Sequence, residues 1–347
     1  MTSSTQHTDP DRPWLSILVP VYNVEPYLQE CLESVLQQTD HLPGVEVLAL
    51  EDGSTDGSPA LLQRLAARWP GRITPMQHAH NQGLSAARNT MLDAARGDYV
   101  WFLDSDDKLL PGSIAALQEI VTTHAPDVVL CDFQVWRDKP RLKHRLRGEM
   151  HRRSFAGPAN RLLRDRCAVL ADMLMPGELH AWSKISRRAL WSDGLRFPVG
   201  RYFEDMATMP LMVLRASSCY YANQPWVAYR QRASSILATP NLHKALDQAA
   251  ALEAFRVAWA GSPCAGDARV QLALAHQSAR NYIGAMRYID AMDDASADKR
   301  DVIARITAHF KASSPWTPEA LCKAYGARGW WLRQHKLLRW LRVGGVA

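Results

Sequence analysis

Gly97-Asp98-Tyr99-Val100-Trp101-Phe102-Leu103-Asp104-Ser105-Asp106-Asp107 decides how this chain is read. Tyr99 to Leu103 is a short apolar run rich in aromatic residues, the pattern of a strand buried on both faces, and Asp104, Asp106 and Asp107 end it abruptly. In open α/β sheets ligands bind at the carboxyl ends of strands, so acids at that place are informative. The alternate spacing of Asp104 and Asp106 lets two carboxylates face one side while Ser105 faces the other. That arrangement suits a hard divalent cation, magnesium or manganese, able to bind both phosphates of a nucleotide diphosphate. An acidic turn that caps the following helix is the competing reading.

Outward from this stretch, β-rich runs alternate with helical patterns, which predicts β-α-β units. Strands are expected at Leu15–Val21, Val45–Leu50, Arg72–Gln77 and Asp127–Phe133, and helices at Glu25–Gln38, Pro59–Arg68, Ser85–Ala95 and Gly112–His124. Arg137 to Arg153 is basic and aperiodic and reads as an exposed connecting loop or hairpin. Beyond Asn241 the pattern is helical only, at His243–Trp259, Asp267–Met292, Ala297–Phe310, Pro318–Tyr325 and Gly329–Arg342. The expected division is a polar leader over 1–13, an α/β domain with a mainly parallel sheet over 14–240, and an all-helical appendage over 241–347.

The 347 residues are enough to bury a core without staples, and 47% hydrophobic with 22% charged residues describes an ordinary globular chain. Lys and Arg exceed Asp and Glu by 41 to 35, a modest excess that favours anionic ligands or surfaces. The six cysteines form no C-x-x-C pair and are read as reduced thiols of a cytoplasmic protein. No apolar run approaches the ~20 residues of a membrane-spanning helix, and the polar leader lacks the core of a signal peptide. Neither G-x-G-x-x-G nor G-x-x-x-x-G-K-[ST] is present, so dinucleotide redox and P-loop functions lose their main support. No nucleic-acid-binding motif is recognised, and no nucleic-acid partner is expected.

Glu51-Asp52-Gly53-Ser54-Thr55-Asp56-Gly57-Ser58 is a second acidic loop after a strand. It can set a carboxylate against the base or ribose of a nucleotide, or serve only as an Asx-turn and helix cap. Arg230 and Arg232, two apart on an extended segment, project to one face, either as a diphosphate clamp or as a solvated strand face. Glu204-Asp205 either supplies a base or simply opens a helix.

Taken together and in order, Ser16 to Asn23, Glu51 to Ser58, Asn81-Gln82-Gly83-Leu84-Ser85-Ala86-Ala87-Arg88-Asn89 and Gly97 to Asp107 resemble the family 2 glycosyltransferases, which have a GT-A fold. Weaker likeness continues through Ala181 to Arg188, Tyr202 to Asp205 and Tyr229 to Ile236. The resemblance implies inverting transfer from a nucleotide diphosphate sugar, most often a uridine one. Pro20, Tyr22, Asp52, Asn81 and Arg88 would line the base and ribose pocket, with Glu51 where the family usually has Asp. Asp104 and Asp106 match its D-x-D, implying ribose and metal contacts through Mn²⁺ or Mg²⁺. Asp205 would be the base that takes the acceptor proton, with Glu204 beside it. His180, read as structural, and Lys184 flank Trp182 on the acceptor side, and Ser183 stands where the family more often has Asn.

On a helical wheel Trp330, Trp331, Leu337, Leu338 and Leu341 share an arc of about 120°, with Lys336, Arg339 and Arg342 largely opposite. Residues 329–347 are therefore expected either to lie on an anionic membrane surface or to dock on their own domain. The combined expectation is a peripheral enzyme on the cytoplasmic face that extends a glycan, lipid-linked or polymeric acceptor. A sugar-nucleotide nucleotidyltransferase, whose glycine-rich phosphate loop is missing, and a non-catalytic nucleotide-sugar-binding scaffold are the rivals.

Overall fold

β1 (Leu15–Val21) has all seven residues buried, because it has strands on both edges and helices on both faces. The computed structural model describes residues 12–137, 142–146, 148–231, 241–292 and 299–345, without the side chains of 143 and 145. β2 (Val45–Glu51) pairs parallel with β1, β3 (Thr74–Gln77) parallel with β2, and β4 (Tyr99–Phe102) parallel with β1 on its other edge. The remaining strands are β5 (Lys108–Leu109), β6 (Val128–Trp136), β7 (Leu162–Leu163), β8 (Lys184–Arg187) and β9 (Cys219–Arg230). Among the described residues the order is β3-β2-β1-β4-β8-β6-β9-β5, with β7 on β9. The sheet is parallel as expected from β3 to β4, but β8 then runs antiparallel to both β4 and β6, so the whole sheet is mixed.

The period of two in β1 divides the interior. Leu15, Ile17, Val19 and Val21 face a core built with helices Glu25–Thr39, Ser58–Arg68 and Ser113–His124. Leu18 faces the opposite core, built with helices Leu84–Ala94, Arg166–Leu174 and Glu204–Arg215. Strand ends decide where the loops lie. Leu103 N donates to Leu18 O at 3.0 Å and Asp52 N to Val21 O at 2.9 Å, so both acidic loops leave the sheet at the end where β1 gives way to Tyr22.

Residues beyond 241 are helical, as expected, at Leu242–Ala250, Glu253–Ala260, Ala268–Asp290, Lys299–Ser313, Pro318–Ala327 and Trp331–Val343. The expected single helix over His243–Trp259 is two. The break at Ala251–Leu252 turns Leu252, Phe255 and Trp259 into the core behind Leu18, whereas Ala245 and Ala249 join a third core with the later helices. Val270, Ala273 and Leu274 also enter the core behind Leu18, so the first part of this helical region shares an interior with the sheet.

Two further expectations change. Cys167 and Cys264 form a disulfide across 97 positions, whereas Cys31, Cys131, Cys219 and Cys322 are free and buried. Spacing could not show this pair because the helix that carries Cys167 and the turn that carries Cys264 meet only in the fold. The basic stretch after Arg137 contains a short helix, Leu142–Leu146, and Arg152 bridges back to Phe133, so its described part is partly ordered against β6.

Candidate active site

The corner below Tyr22 is knitted by the residues that made its sequence look like turns and caps. Asn23, at φ 50°, accepts from Thr55 N through Oδ1 at 2.8 Å, and Val24 N donates to Ser58 Oγ at 3.0 Å. Glu25 N donates to Asp56 Oδ2 and Gly57 N returns to Glu25 Oε2, each at 3.0 Å. Asp52 is buried and fully occupied. Its Oδ1 accepts from Gln82 N at 2.9 Å and lies 2.6 Å from His78 Nδ1, and its Oδ2 accepts from Gly83 N at 2.8 Å. Glu51 accepts from Ser54 N at 2.5 Å. The two acids thus shape the corner from within, and Pro20 is buried in β1, while Tyr22 and Asn81 are exposed on it. Gly53 makes this possible: at φ +71° its α-carbon passes so close to the turn that a Cβ would stand 2.5 Å from Asn81 N.

Arg88, expected in the base and ribose pocket, directs its guanidinium to carboxylates. Its side chain, 1% exposed, lies 5.2 Å from the Phe197 ring centroid, and it binds three acids. Nη2 donates to Asp104 Oδ1 at 2.8 Å, and Nη1 to Glu204 Oε1 at 2.8 Å and Asp205 Oδ1 at 2.6 Å. One guanidinium therefore joins the end of β4 to the first turn of the Glu204–Arg215 helix, where a helix favours negative charge. Phe203, just before that pair, is held at φ +59°, a strained conformation for a bulky residue. Ala181 N donates to Asp205 Oδ2 at 2.9 Å. Burial, with the charge of Asp205 second, pushes the Glu204 carboxyl up to about 7.

Asp107 is the third acid of the first loop and the deepest. Its Oδ1 accepts from Arg230 N at 2.7 Å, but its buried Oδ2 has no partner. Burial, then Asp106 and Asp104, push its carboxyl well above the usual range. A divalent cation would relieve the crowding of these acids, and Asp104 and Asp106 would offer it carboxylate oxygens. No group of three metal-binding side chains gathers among the described residues. Arg230 is held rather than extended: its guanidinium lies 3.7 Å from the Trp136 ring centroid, with Nε on Asp106 O at 2.9 Å and Nη2 on Glu30 Oε2 at 2.7 Å. Arg232 lies outside the described residues.

The segment around Trp182 is braced by Lys184. Its buried Nζ donates to Glu178 O, Ser183 Oγ and His180 O at 2.8, 2.9 and 3.0 Å, and burial pushes the ammonium down to about 8. The brace fixes the turn whose Ala181 N holds Asp205. His180 stacks on Trp182 at 4.6 Å, 7° from parallel, and Phe133 meets Trp182 edge-on at 4.8 Å. Sequence reasoning missed Glu30, Trp136 and Ala181 N, since their partners lie up to 200 positions away and no local pattern marks them.

The terminal helix docks. Leu337 and Leu341 are buried in the third core with Trp340, and Trp330 and Leu338 pack partly against it, so most of the expected apolar stripe faces protein. Of its exposed residues, Trp331, Leu332, His335, Arg339 and Arg342 share an arc of about 100° away from that core, and Arg333, Lys336 and Val343 lie beside it.

Residues 16–187 match the family model described as Glycosyl transferase family 2. Glycosyltransferase GlyA of Streptococcus pneumoniae is 29% identical over 228 residues, 64% of this chain and 31% of that protein. Uncharacterized glycosyltransferase EpsJ of Bacillus subtilis is 41% identical over 121 residues, 35% of this chain and 34% of its own length. The chain thus spans about a third of each of these relatives. The fold is similar to that of S. aureus TarS 1–349 in complex with UDP-GlcNAc, at a TM-score of 0.70 and 20% identity, over 95% of this chain and 90% of that one.

Proposed function

We propose, from the match of residues 16–187 to the family 2 glycosyltransferase model, that the protein is an inverting glycosyltransferase of that family. It moves a sugar from a nucleotide diphosphate sugar, with uridine as the base, to a hydroxyl of a glycan, lipid-linked or polymeric acceptor in cell-surface polysaccharide synthesis. The observation that carries this reading is Arg88 binding Asp104, Glu204 and Asp205 at once, since it brings the loop suited to the diphosphate and the carboxylates suited to the acceptor to a single cleft.

Tyr22 and Asn81 offer the exposed surface of the nucleotide corner, on a frame that Glu51, Asp52 and Pro20 hold rigid. Arg230, anchored by Glu30 and Trp136, sets the floor of the diphosphate side. Asp104 and Asp106 would hold a divalent cation, which would supply positive charge against the leaving diphosphate. Asp205 accepts the proton of the acceptor hydroxyl as that oxygen bonds to the anomeric carbon from the face opposite the diphosphate. The carbon–oxygen bond to the nucleotide breaks, and the configuration inverts. The hydrogen bonds from Arg88 and Ala181 N aim Asp205 at the cleft.

The test is calorimetric titration with UDP, GDP and CDP, each with manganese and with chelator, followed by transfer assays on Asp205→Asn. Metal-dependent binding of UDP, retained in Asp205→Asn while transfer is lost, is the expected result. UDP binding with Asp205 dispensable would favour a binding scaffold, and no nucleotide binding would end the reading.

The proposal places the enzyme on the cytoplasmic face of a membrane, resting peripherally on the outward arc of the terminal helix. No described helix is long and apolar enough to cross a bilayer, and Trp331 and Leu332 are 65% and 87% exposed beside Arg339 and Arg342. Replacing both apolar residues by Ser is expected to abolish sedimentation with phosphatidylglycerol vesicles; unchanged sedimentation would remove the membrane from the scheme.

A further inference from the structure

A second set of cations has no part in that scheme. Arg280 and Arg287 lie seven residues apart on the Ala268–Asp290 helix, two turns and roughly 10 Å along one face. Arg333 and Lys336 lie one turn apart on the Trp331–Val343 helix, on the flank of its buried stripe and away from the outward arc. The two helices pack against each other, and their exposed cations act on one another electrostatically across the seam. Lys336 is held below the usual lysine range by burial and by Arg287 and Arg280. Arg280 is lowered by burial and by Arg333 and Arg152, with Glu178 opposing them. All five cations are exposed at the surface. Neither Arg287, Arg333 nor Lys336 pairs with a carboxylate among the described residues; Arg333 lies 4.4 Å from the Trp330 ring centroid instead.

The row leads to the cleft. Arg280 Nη1 donates to Pro176 O, and Arg152 lies 3.5 Å from Glu178, whose other oxygen is 3.4 Å from His180 Nε2. Ala181, the next residue, holds Asp205. Like charges crowded in line cost stability unless something anionic occupies the line. Repeated cations along a groove call for charge repeated along a chain, and forked guanidinium donors match phosphate oxygens.

We propose that this groove, from Arg287 and Lys336 through Arg280 to Arg152, binds a phosphodiester-bearing acceptor and delivers one of its hydroxyls to Asp205. The inference rests on the transferase reading and adds the acceptor's chemical class to it.

Its test uses the full chain and a labelled synthetic oligomer of glycerol phosphate as the probe, with a polygalacturonate oligomer and phosphatidylglycerol vesicles as comparisons. The variants are Arg287→Glu/Lys336→Glu, at exposed positions that the interior does not use, and the milder Arg287→Gln/Lys336→Gln in case charge reversal disturbs the seam. UDP binding is measured on every sample. The expected result is oligomer binding that weakens at least about tenfold in the reversed variant and less in the neutral one, with UDP affinity and vesicle sedimentation unchanged. Wild-type protein that binds UDP but no oligomer, or variants that bind it equally well, would overturn the proposal and leave the transferase reading standing. Equal binding of polygalacturonate would overturn the phosphate assignment, and loss of vesicle sedimentation in the variants would give the groove to lipid headgroups. Failure to bind UDP would strike the transferase reading itself.

Discussion

Arg88 is the residue whose removal changes most. Replaced by Met, it leaves Asp104, Glu204 and Asp205 repelling one another around an apolar side chain, a loss of about 3 kcal/mol that urea denaturation at neutral pH would read. The deficit is expected to shrink at acid pH, where the carboxyls take protons; a deficit independent of pH would mean that the guanidinium acts only through packing. Glu204 carries its own signature. Because its carboxyl is raised from 4.5 to about 7, the native protein holds a proton between those values that the unfolded chain has released. Stability contributed at this site therefore falls as pH rises from about 4.5 to 7 and is level above. The difference between wild type and Glu204→Gln in unfolding free energy, followed from pH 4 to 8, should show that decline, and a flat difference would refute the raised value. Both predictions belong to single side chains, yet neither was legible in the residue types. The 88-to-205 contact closes over 117 positions, and Glu204-Asp205 by itself reads equally as a helix start.

The loops that carry the nucleotide corner work as one element. Gly53→Ala would meet two penalties, a left-handed backbone costing about 1–2 kcal/mol and a Cβ 2.5 Å from Asn81 N. Gly71 has a similar φ, +75°, with nothing within 4 Å, so Gly71→Ala meets only the first. Thermal denaturation should therefore rank Gly53→Ala below Gly71→Ala, and UDP titration should show weakened binding in Gly53→Ala alone. Equal effects in both assays would mean that the two loops do not depend on this approach. At this scale the sequence was most informative. Asn23, Ser54, Asp56 and Ser58 are turn and cap residues, and in the fold they cap and tie this corner. It was less informative for the helix over 243–259, because the break at Leu252 follows from two cores pulling its halves apart and from no breaker residue.

For the molecule as a whole, the disulfide between Cys167 and Cys264 joins the helix Arg166–Leu174 to the segment before the Ala268–Asp290 helix. Thiol titration of the denatured, unreduced protein is expected to find the four free cysteines and not all six. Replacing both bonded residues by Ser should cost up to about 4–5 kcal/mol for a closed loop of this length, seen as a lower melting temperature; six thiols, or an unchanged melt, would leave Cys167 and Cys264 as ordinary core neighbours. The positions of strands β1 to β4 along the chain, the two acidic loops and the helical region beyond 241 were settled by sequence, because periodicity, turn chemistry and strand-end acids are local properties written in consecutive residues. Tertiary structure alone decided that Arg88 gathers three carboxylates, that Asp52 faces inward, that the terminal helix turns most of its apolar stripe to its own core, and that exposed cations of two packed helices share one surface. Each of those depends on which distant surfaces come together to exclude water, and burial and Coulomb interaction act on distance in space, which one-dimensional spacing does not carry.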